Sequence, residues 1–265
     1  MLKARILSAA VGIPIVIGAI FIGTSAVGIL IILASIIAGM EIAQMSTPRV
    51  GNINVFTAVI PFSMAVAGIL IGLGSGEWWL LAVVFGAAGF TAITFEAMRI
   101  IRSRTSILAI IAAGYFGLLL AHGAPLRSLD DTFDWLLTAI LVTFATDTVS
   151  YFVGTWLGSH RLFPLVSPSK TWEGALAGII GGTGAGAGLT ILLELPIETS
   201  EGALIGLIAS LAAVFGDLIE SGFKRLSRVK DSGNIIPGHG GVLDRIDSLA
   251  PSLAVVYWMA LWLTP

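Results

Sequence analysis

Residues 202–220 read GALIGLIASLAAVFGDLIE, and the chain continues through Ser221-Gly222-Phe223-Lys224-Arg225-Leu226-Ser227-Arg228. A helix needs about 20 predominantly apolar residues to cross the hydrocarbon core of a bilayer. The stretch runs to 19 residues and carries no charge up to Gly216. Asp217 then arrives while the chain is still at membrane depth, where a carboxylate requires a cation or a function. On a helix, Asp217, Glu220, Ser221, Lys224, Arg225 and Arg228 fall at offsets 0, 3, 4, 7, 8 and 11 and share one face. The stretch therefore predicts a membrane helix whose last turns lead a polar stripe out into water.

Working outward, similar apolar runs recur along the whole chain, at roughly 6–23, 26–45, 55–73, 78–98, 105–122, 133–156, 173–193, 202–220 and 249–264. With 56% hydrophobic and 11% charged residues, the 265-residue chain reads as all-α, a polytopic membrane helix bundle of about nine transmembrane helices. Residues 1–125 are expected to form a transmembrane scaffold of five helices, and residues 126–265 a catalytic region of four helices with its site on the cytoplasmic face. Positive residues favour cytoplasmic helix ends. Under the nine-span reading thirteen of the 14 Lys and Arg fall on one side, leaving Arg127 alone on the other, so the N-terminus is expected to be cytoplasmic. The apolar run near the start exceeds the roughly 7–15 residues of a signal-peptide core, so residues 1–25 read as a retained span. Cysteine is absent, so any metal must use oxygen or imidazole ligands. The net charge of −2 gives no sign of a nucleic-acid partner.

Within this frame, Gly174, Gly178, Gly182 and Gly186 recur every fourth residue and form one small-residue face on the seventh span. Such a face predicts a tight helix seam inside the protomer, with a homodimer contact as the alternative. Asp147 lies inside the sixth span and shares a face with Ser150, Tyr151 and Gly154, which marks it as a site candidate above a helix-bridging role. Glu41 and Glu96 sit near helix ends and read as interfacial solvation. His122 and His160 read as bland, and His239 as a site residue.

Downstream of the stripe, Pro237-Gly238-His239-Gly240-Gly241 suits neither a helix nor a strand. Its glycines permit a tight turn with exposed backbone N–H groups, a shape suited to phosphate oxygens. Asp244 and Asp247, three residues apart, are expected on one helix face at the start of the last span. Together with Asp217 they suit one or two Mg²⁺ ions, which prefer oxygen ligands and take few carboxylates plus substrate phosphates. Ser167-Pro168-Ser169-Lys170 reads as the start of a helix, with Lys170 as a phosphate clamp.

The run Ser221-x-Phe223-Lys224-Arg225-x4-Lys230-Asp231-x-Gly233-x2-Ile236-Pro237-x-His239-Gly240-Gly241-Val242-x-Asp244-Arg245-Ile246-Asp247 resembles the signature of phosphatidate cytidylyltransferases, the CDP-diacylglycerol synthases. Thr146-Asp147-Thr148 with Tyr151 and Gly154, and Ser167 through Gly174, resemble the same family, so the likeness covers about residues 144–248. It implies transfer of CMP from CTP to phosphatidic acid, giving CDP-diacylglycerol and pyrophosphate in an integral protein of a bacterial-type inner membrane. The expected catalytic residues are Asp217, Lys224, Asp244 and Asp247, with Asp217, Asp244 and Asp247 on Mg²⁺. Asp147, Lys170, Ser221, Arg225, Lys230, His239, Gly240, Gly241 and Arg245 are expected to bind substrate, and membrane lipid is the remaining partner. A related CTP-dependent lipid kinase and a cation-coupled transporter are the rival readings.

Overall fold

The computed structural model describes residues 2–46, 55–70, 104–238 and 240–264. Among them are ten helices: α1 (Leu2–Ile22), α2 (Thr24–Ser46), α3 (Val55–Leu70), α4 (Arg104–Ala121), α5 (Gly123–Arg127), α6 (Asp134–Trp156), α7 (Trp172–Leu192), α8 (Thr199–Leu226), α9 (Leu243–Ile246) and α10 (Leu249–Leu263). Five stretches are long and apolar enough to cross a membrane: Thr24–Met45, Asp134–Trp156, Trp172–Leu192, Thr199–Leu226 and Leu243–Leu263. Ile6–Ile22 and Ile60–Ile69 are shorter apolar helices. Large apolar side chains point outward along these elements, among them Val11 and Phe21 on α1, Phe144 on α6 and Ile180 on α7. Helices apolar on their outer faces suit lipid rather than water, and the chain is an integral membrane protein. The expected span at 78–98 lies outside the described residues, as do Glu96 and His239.

The expectation of a purely α protein needs one correction. Strands β1 (Arg161–Phe163) and β2 (Ser167–Thr171) form an antiparallel hairpin between α6 and α7. Ser167 accordingly does not start a helix. A residue before proline is driven from helical to extended backbone, which places Ser167 in β2. The cap of α7 is Thr171, whose Oγ1 accepts from the Gly174 N–H at 3.2 Å.

The chain divides into two compact units, residues 1–128 with 223–246, and residues 129–222 with 247–265. The first unit takes in the last turn of α8 and the segment after it. In it, α2, α3 and α4 pack mutually around Ile42, Met64, Ala113, Phe116 and Leu120. Pro61 lies inside α3, and Gly117 admits it: a Cβ at 117 would sit 2.6 Å from the Pro61 Cα. Gly23, at φ 123°, makes the turn between α1 and α2 that an L side chain would strain. Arg127 Nε donates to the Ile20 carbonyl at 3.0 Å, satisfying one of the acceptors that the end of α1 leaves open.

In the second unit, α6 begins under the Asp130 carboxylate, which accepts from the N–H groups of Asp134 and Trp135 at 3.2 and 3.1 Å. The glycine face of α7 is the internal seam the spacing predicts. A Cβ at Gly174 or Gly178 would meet the Ser150 or Thr146 carbonyl of α6 at 2.8 or 2.7 Å. One at Gly186 would lie 2.3 Å from the Gly202 carbonyl of α8. The face is occupied within the protomer and is therefore not a dimer surface. Thr146 Oγ1 donates to the Val142 carbonyl and lies 3.0 Å from Ser210 Oγ, bridging α6 and α8. Ser252 Oγ of α10 donates to the Ala209 carbonyl at 3.1 Å. Two substitutions separate seam from propensity. Gly186→Ala is expected to lose about 1–3 kcal/mol through overpacking. Gly184→Ala, whose Cβ would have nothing within 4 Å, should be neutral or slightly stabilising, both read from unfolding in detergent.

Candidate active site

Helix α8 places Asp217 and Glu220 one turn apart, and the local backbone brings a third carboxylate to them. Pro251 has no N–H to offer the Asp247 carbonyl four residues back, and its ring crowds that carbonyl. The helical path accordingly breaks at Asp247–Ser248, between α9 and α10. The freed stretch comes to rest against Gly216, where a Cβ would lie 2.3 Å from the Asp247 carbonyl oxygen and 2.6 Å from Pro251 Cγ. Glycine immediately before Asp217 is thus what lets Asp247 approach α8. The result is a cluster of Asp217, Glu220 and Asp247 whose ligand oxygens all lie within 4.8 Å of one another. Glu220 is fully buried, and Asp247 is 9% exposed.

Lys170 Nζ, presented by β2, pairs with Asp217 Oδ2. Ser221 Oγ donates to Asp217 Oδ1 at 3.4 Å, and the Ser248 N–H donates to Asp247 Oδ1 at 2.7 Å. Three carboxylates thus crowd together beside the Lys170 ammonium. Like charges at such separations favour a shared cation, and an all-oxygen donor set fits a hard divalent ion such as Mg²⁺. Asp217 and Asp247 are therefore brought together as anticipated. Glu220, assigned only to the polar stripe from sequence, is the third member; the i, i+3 spacing from Asp217 was its available signal.

The first unit holds a second constellation. Lys224 Nζ lies 2.7 Å from Asp244 Oδ1. Asp244 Oδ2 accepts from the Ser232 N–H at 3.1 Å, Ser232 Oγ at 2.9 Å and the Gly241 N–H at 2.9 Å. The glycine turn itself is closed by a bridge in which the Ile236 N–H donates to the Gly240 carbonyl at 3.0 Å. Gly238 and Gly240 have φ of 79° and 90°, backbone that side-chain-bearing residues rarely adopt.

Several readings change here. Glu41 is not an interfacial group. It is fully buried, and it accepts from the N–H groups of Val242 and Leu243, both at 2.9 Å, and from Ser232 Oγ at 3.1 Å. Of the turn expected to present N–H groups to phosphate, the Gly241 N–H instead faces the protein's own Asp244 carboxylate, and those of Val242 and Leu243 just beyond it face Glu41. Asp244 lies in α9, whereas Asp247 lies in the break between α9 and α10. Arg228 leaves the polar stripe: α8 ends at Leu226, and Arg228, at φ 60°, is the left-handed residue of a Schellman ending. In it the Val229 N–H donates to the Lys224 carbonyl and the Arg228 N–H to the Arg225 carbonyl.

The other candidates are placed more simply. Asp147 is exposed on α6, beside buried Thr146. Arg225, Lys230 and Arg245 are exposed, and an Arg225 guanidinium N–H donates to the Val229 carbonyl at 3.2 Å. His160 lies 2.6 Å from Glu173, and His122 Nδ1 lies 3.0 Å from the Leu118 carbonyl, local contacts that agree with bland roles.

Helices of membrane-crossing length and a part-buried group of carboxylates that could hold a metal ion define a polytopic membrane protein with a candidate metal site. The chain belongs to the cytidylyltransferase family, whose model matches residues 3–263. It is 29% identical over 255 residues to a phosphatidate cytidylyltransferase of Staphylococcus haemolyticus, covering 93% of this chain and 94% of that one. A Staphylococcus epidermidis protein of the same name is 30% identical over 253 residues, at the same two coverages. A third, from Staphylococcus aureus, is 31% identical over 228 residues, covering 83% of this chain and 85% of its own.

The ion pair gives a direct test of the electrostatics. In chelator, Lys170→Met is expected to destabilise the protein by about 1–3 kcal/mol, a buried-pair cost reduced for a pair that still meets solvent. Adding Asp217→Asn should return part of that loss, measured as a double-mutant cycle of unfolding free energies.

Proposed function

We propose that the protein is a phosphatidate cytidylyltransferase, which transfers CMP from CTP to phosphatidic acid and releases CDP-diacylglycerol and pyrophosphate. The observation that carries this reading is the part-buried Asp217–Glu220–Asp247 cluster, set in a chain aligned almost end to end with relatives of that name. A phosphate oxygen of the lipid attacks the α-phosphorus of CTP, and the bond to the β-phosphate oxygen breaks as pyrophosphate leaves. The nucleophile is already ionised near neutral pH, so no strong general base is required.

Asp217, Glu220 and Asp247 would hold Mg²⁺, and Asp244, oriented by Lys224, Ser232 and Gly241, is proposed as a further carboxylate of the same step. When bound, that ion neutralises the triphosphate and the charge developing at the transferred phosphorus. Lys170 is released from Asp217 to meet a phosphate oxygen. Lys224, Arg225, Lys230 and Arg245 bind the polyphosphate and steady the leaving group, with Ser221 and Asp147 lining the substrate path. His239 is assigned to substrate positioning.

The reading extends to topology. Nine spans running from a cytoplasmic N-terminus put thirteen of the 14 cations on the cytoplasmic side, where water-soluble CTP is available. The lipid is proposed to enter sideways from the inner leaflet. Each buried methylene contributes about 0.8 kcal/mol, so lifting two acyl chains into water is prohibitive, and the tails stay in the bilayer.

Detergent-solubilised protein given CTP, Mg²⁺ and phosphatidic acid should form CDP-diacylglycerol and pyrophosphate in equal amounts. Asp217→Asn or Asp247→Asn should lower kcat by roughly 100-fold or more, the scale of losing one element of charge stabilisation, without loss of folded protein. Phosphorylated lipid with CDP, or no turnover, would overturn the assignment. For topology, a reporter fused after Pro265 should be active only outside the cytoplasm. Activity confined to the cytoplasm would mean an even number of spans.

A further inference from the structure

The glycine-rich turn has the shape of an anion-binding nest, and in this molecule the anion is already supplied by the chain. Glu41, from the apolar α2, accepts from Val242 N–H, Leu243 N–H and Ser232 Oγ. The fit is close on both sides. A Cβ at Gly241 would lie 2.5 Å from Glu41 Oε2, and one at Gly233 would lie 2.7 Å from Glu41 Oε1. Two glycines of the signature run are therefore small because the Glu41 carboxylate occupies the space beside them.

Ser232 links this carboxylate to the next. Its Oγ is 3.1 Å from Glu41 Oε2 and 2.9 Å from Asp244 Oδ2, so one hydroxyl proton serves two acids. Asp244 in turn receives the Gly241 N–H and pairs with Lys224. Packing alone would not select a carboxylate at position 41. Burying a charge is costly, and a well-packed apolar side chain is often as stable. What the carboxylate adds is a fixed backbone at Val242–Leu243 and a fixed hydroxyl on Ser232.

We infer that Glu41 is a positioning residue, the resident anion of the glycine turn, which acts through Ser232 and the Val242–Leu243 backbone to hold Asp244 against Lys224. The inference rests on the cytidylyltransferase reading for its effect on turnover, but its structural part stands without it. It gives the N-terminal region a part in the site beyond that of a scaffold.

The test compares Glu41→Gln with Met64→Ala, a core truncation in the same unit that does not touch the turn. Two readouts are needed, hydrogen exchange and steady-state kinetics with CTP and phosphatidic acid. In Glu41→Gln, peptides covering 232–243 should exchange faster while those of α4 stay as protected as in wild type. Its kcat/KM should fall roughly tenfold or more, the effect of losing one charged hydrogen bond, with a raised KM for CTP. Met64→Ala should lower apparent kcat only in proportion to folded enzyme and leave KM unchanged. Ser232→Ala should lose less in the Glu41→Gln background than alone. Wild-type exchange of 232–243 in Glu41→Gln, or kinetics that follow Met64→Ala, would overturn the inference. If Glu41→Gln does not accumulate, Glu41→Asp carries the same expectations, since it withdraws the oxygens by about 1.5 Å, one carbon–carbon bond. An inactive wild type would count against the cytidylyltransferase reading alone, because the exchange result still decides the placement of the turn.

Discussion

A carboxylate removed from water in an apolar protein must find donors or a cation, and each functional segment described above is shaped by one such demand. Asp217, Glu220 and Asp247 crowd within 4.8 Å and draw Lys170 toward them from the hairpin. Asp244 gathers an ammonium, a hydroxyl and two backbone N–H groups. Glu41 gathers the next two backbone N–H groups and shares the proton of the same hydroxyl. The loop after α8 has almost no apolar core of its own, and these acids supply its internal order. The arrangement inverts the usual soluble-protein case, in which apolar contacts fix a loop and charges decorate it.

Small residues make this charge placement feasible. Gly216 removes the side chain that would keep Asp247 away from α8, and the α7 glycines let carbonyls of neighbouring helices come within van der Waals contact of its backbone. Between membrane helices, lipid offers no hydrophobic drive for association, so close packing and hydrogen bonds such as Thr146 to Ser210 must supply it. The same close packing fixes the height of α8 in the bundle, and hence the depth at which Asp217 and Glu220 sit.

Much of this was legible in the sequence because it depends on period and composition. The ranges of α2, α4, α6 and α7 fall within a few residues of their apolar runs, and the fourfold glycine spacing predicts the seam they form. Asp217 announced itself by standing at membrane depth. What escaped the sequence depends on long-range pairing. Nothing local to Met40-Glu41-Ile42 shows that donors lie some two hundred positions downstream, so Glu41 reads as a helix-end charge. The Gly241 N–H looks available for phosphate until the Asp244 carboxylate that takes it is placed. The hairpin at 161–171 follows from Ser167-Pro168, a cue overridden in the reading by the familiar role of Pro at a helix start. The break at Asp247 follows from Pro251, which marks the last span as interrupted but does not say where its freed carbonyl will rest.

The glycine content of α7 also bears on how the protein is made. Seven of its 21 residues are glycine, so its gain from entering lipid alone is modest for its length. During synthesis α6 is available first, and the Gly174 and Gly178 contacts with it can form as α7 leaves the ribosome. The Gly186–Gly202 contact must wait for α8, and Asp247 follows later still. The three carboxylates therefore cannot come together before Asp247 is made, by which point α6, α7 and α8 already exist.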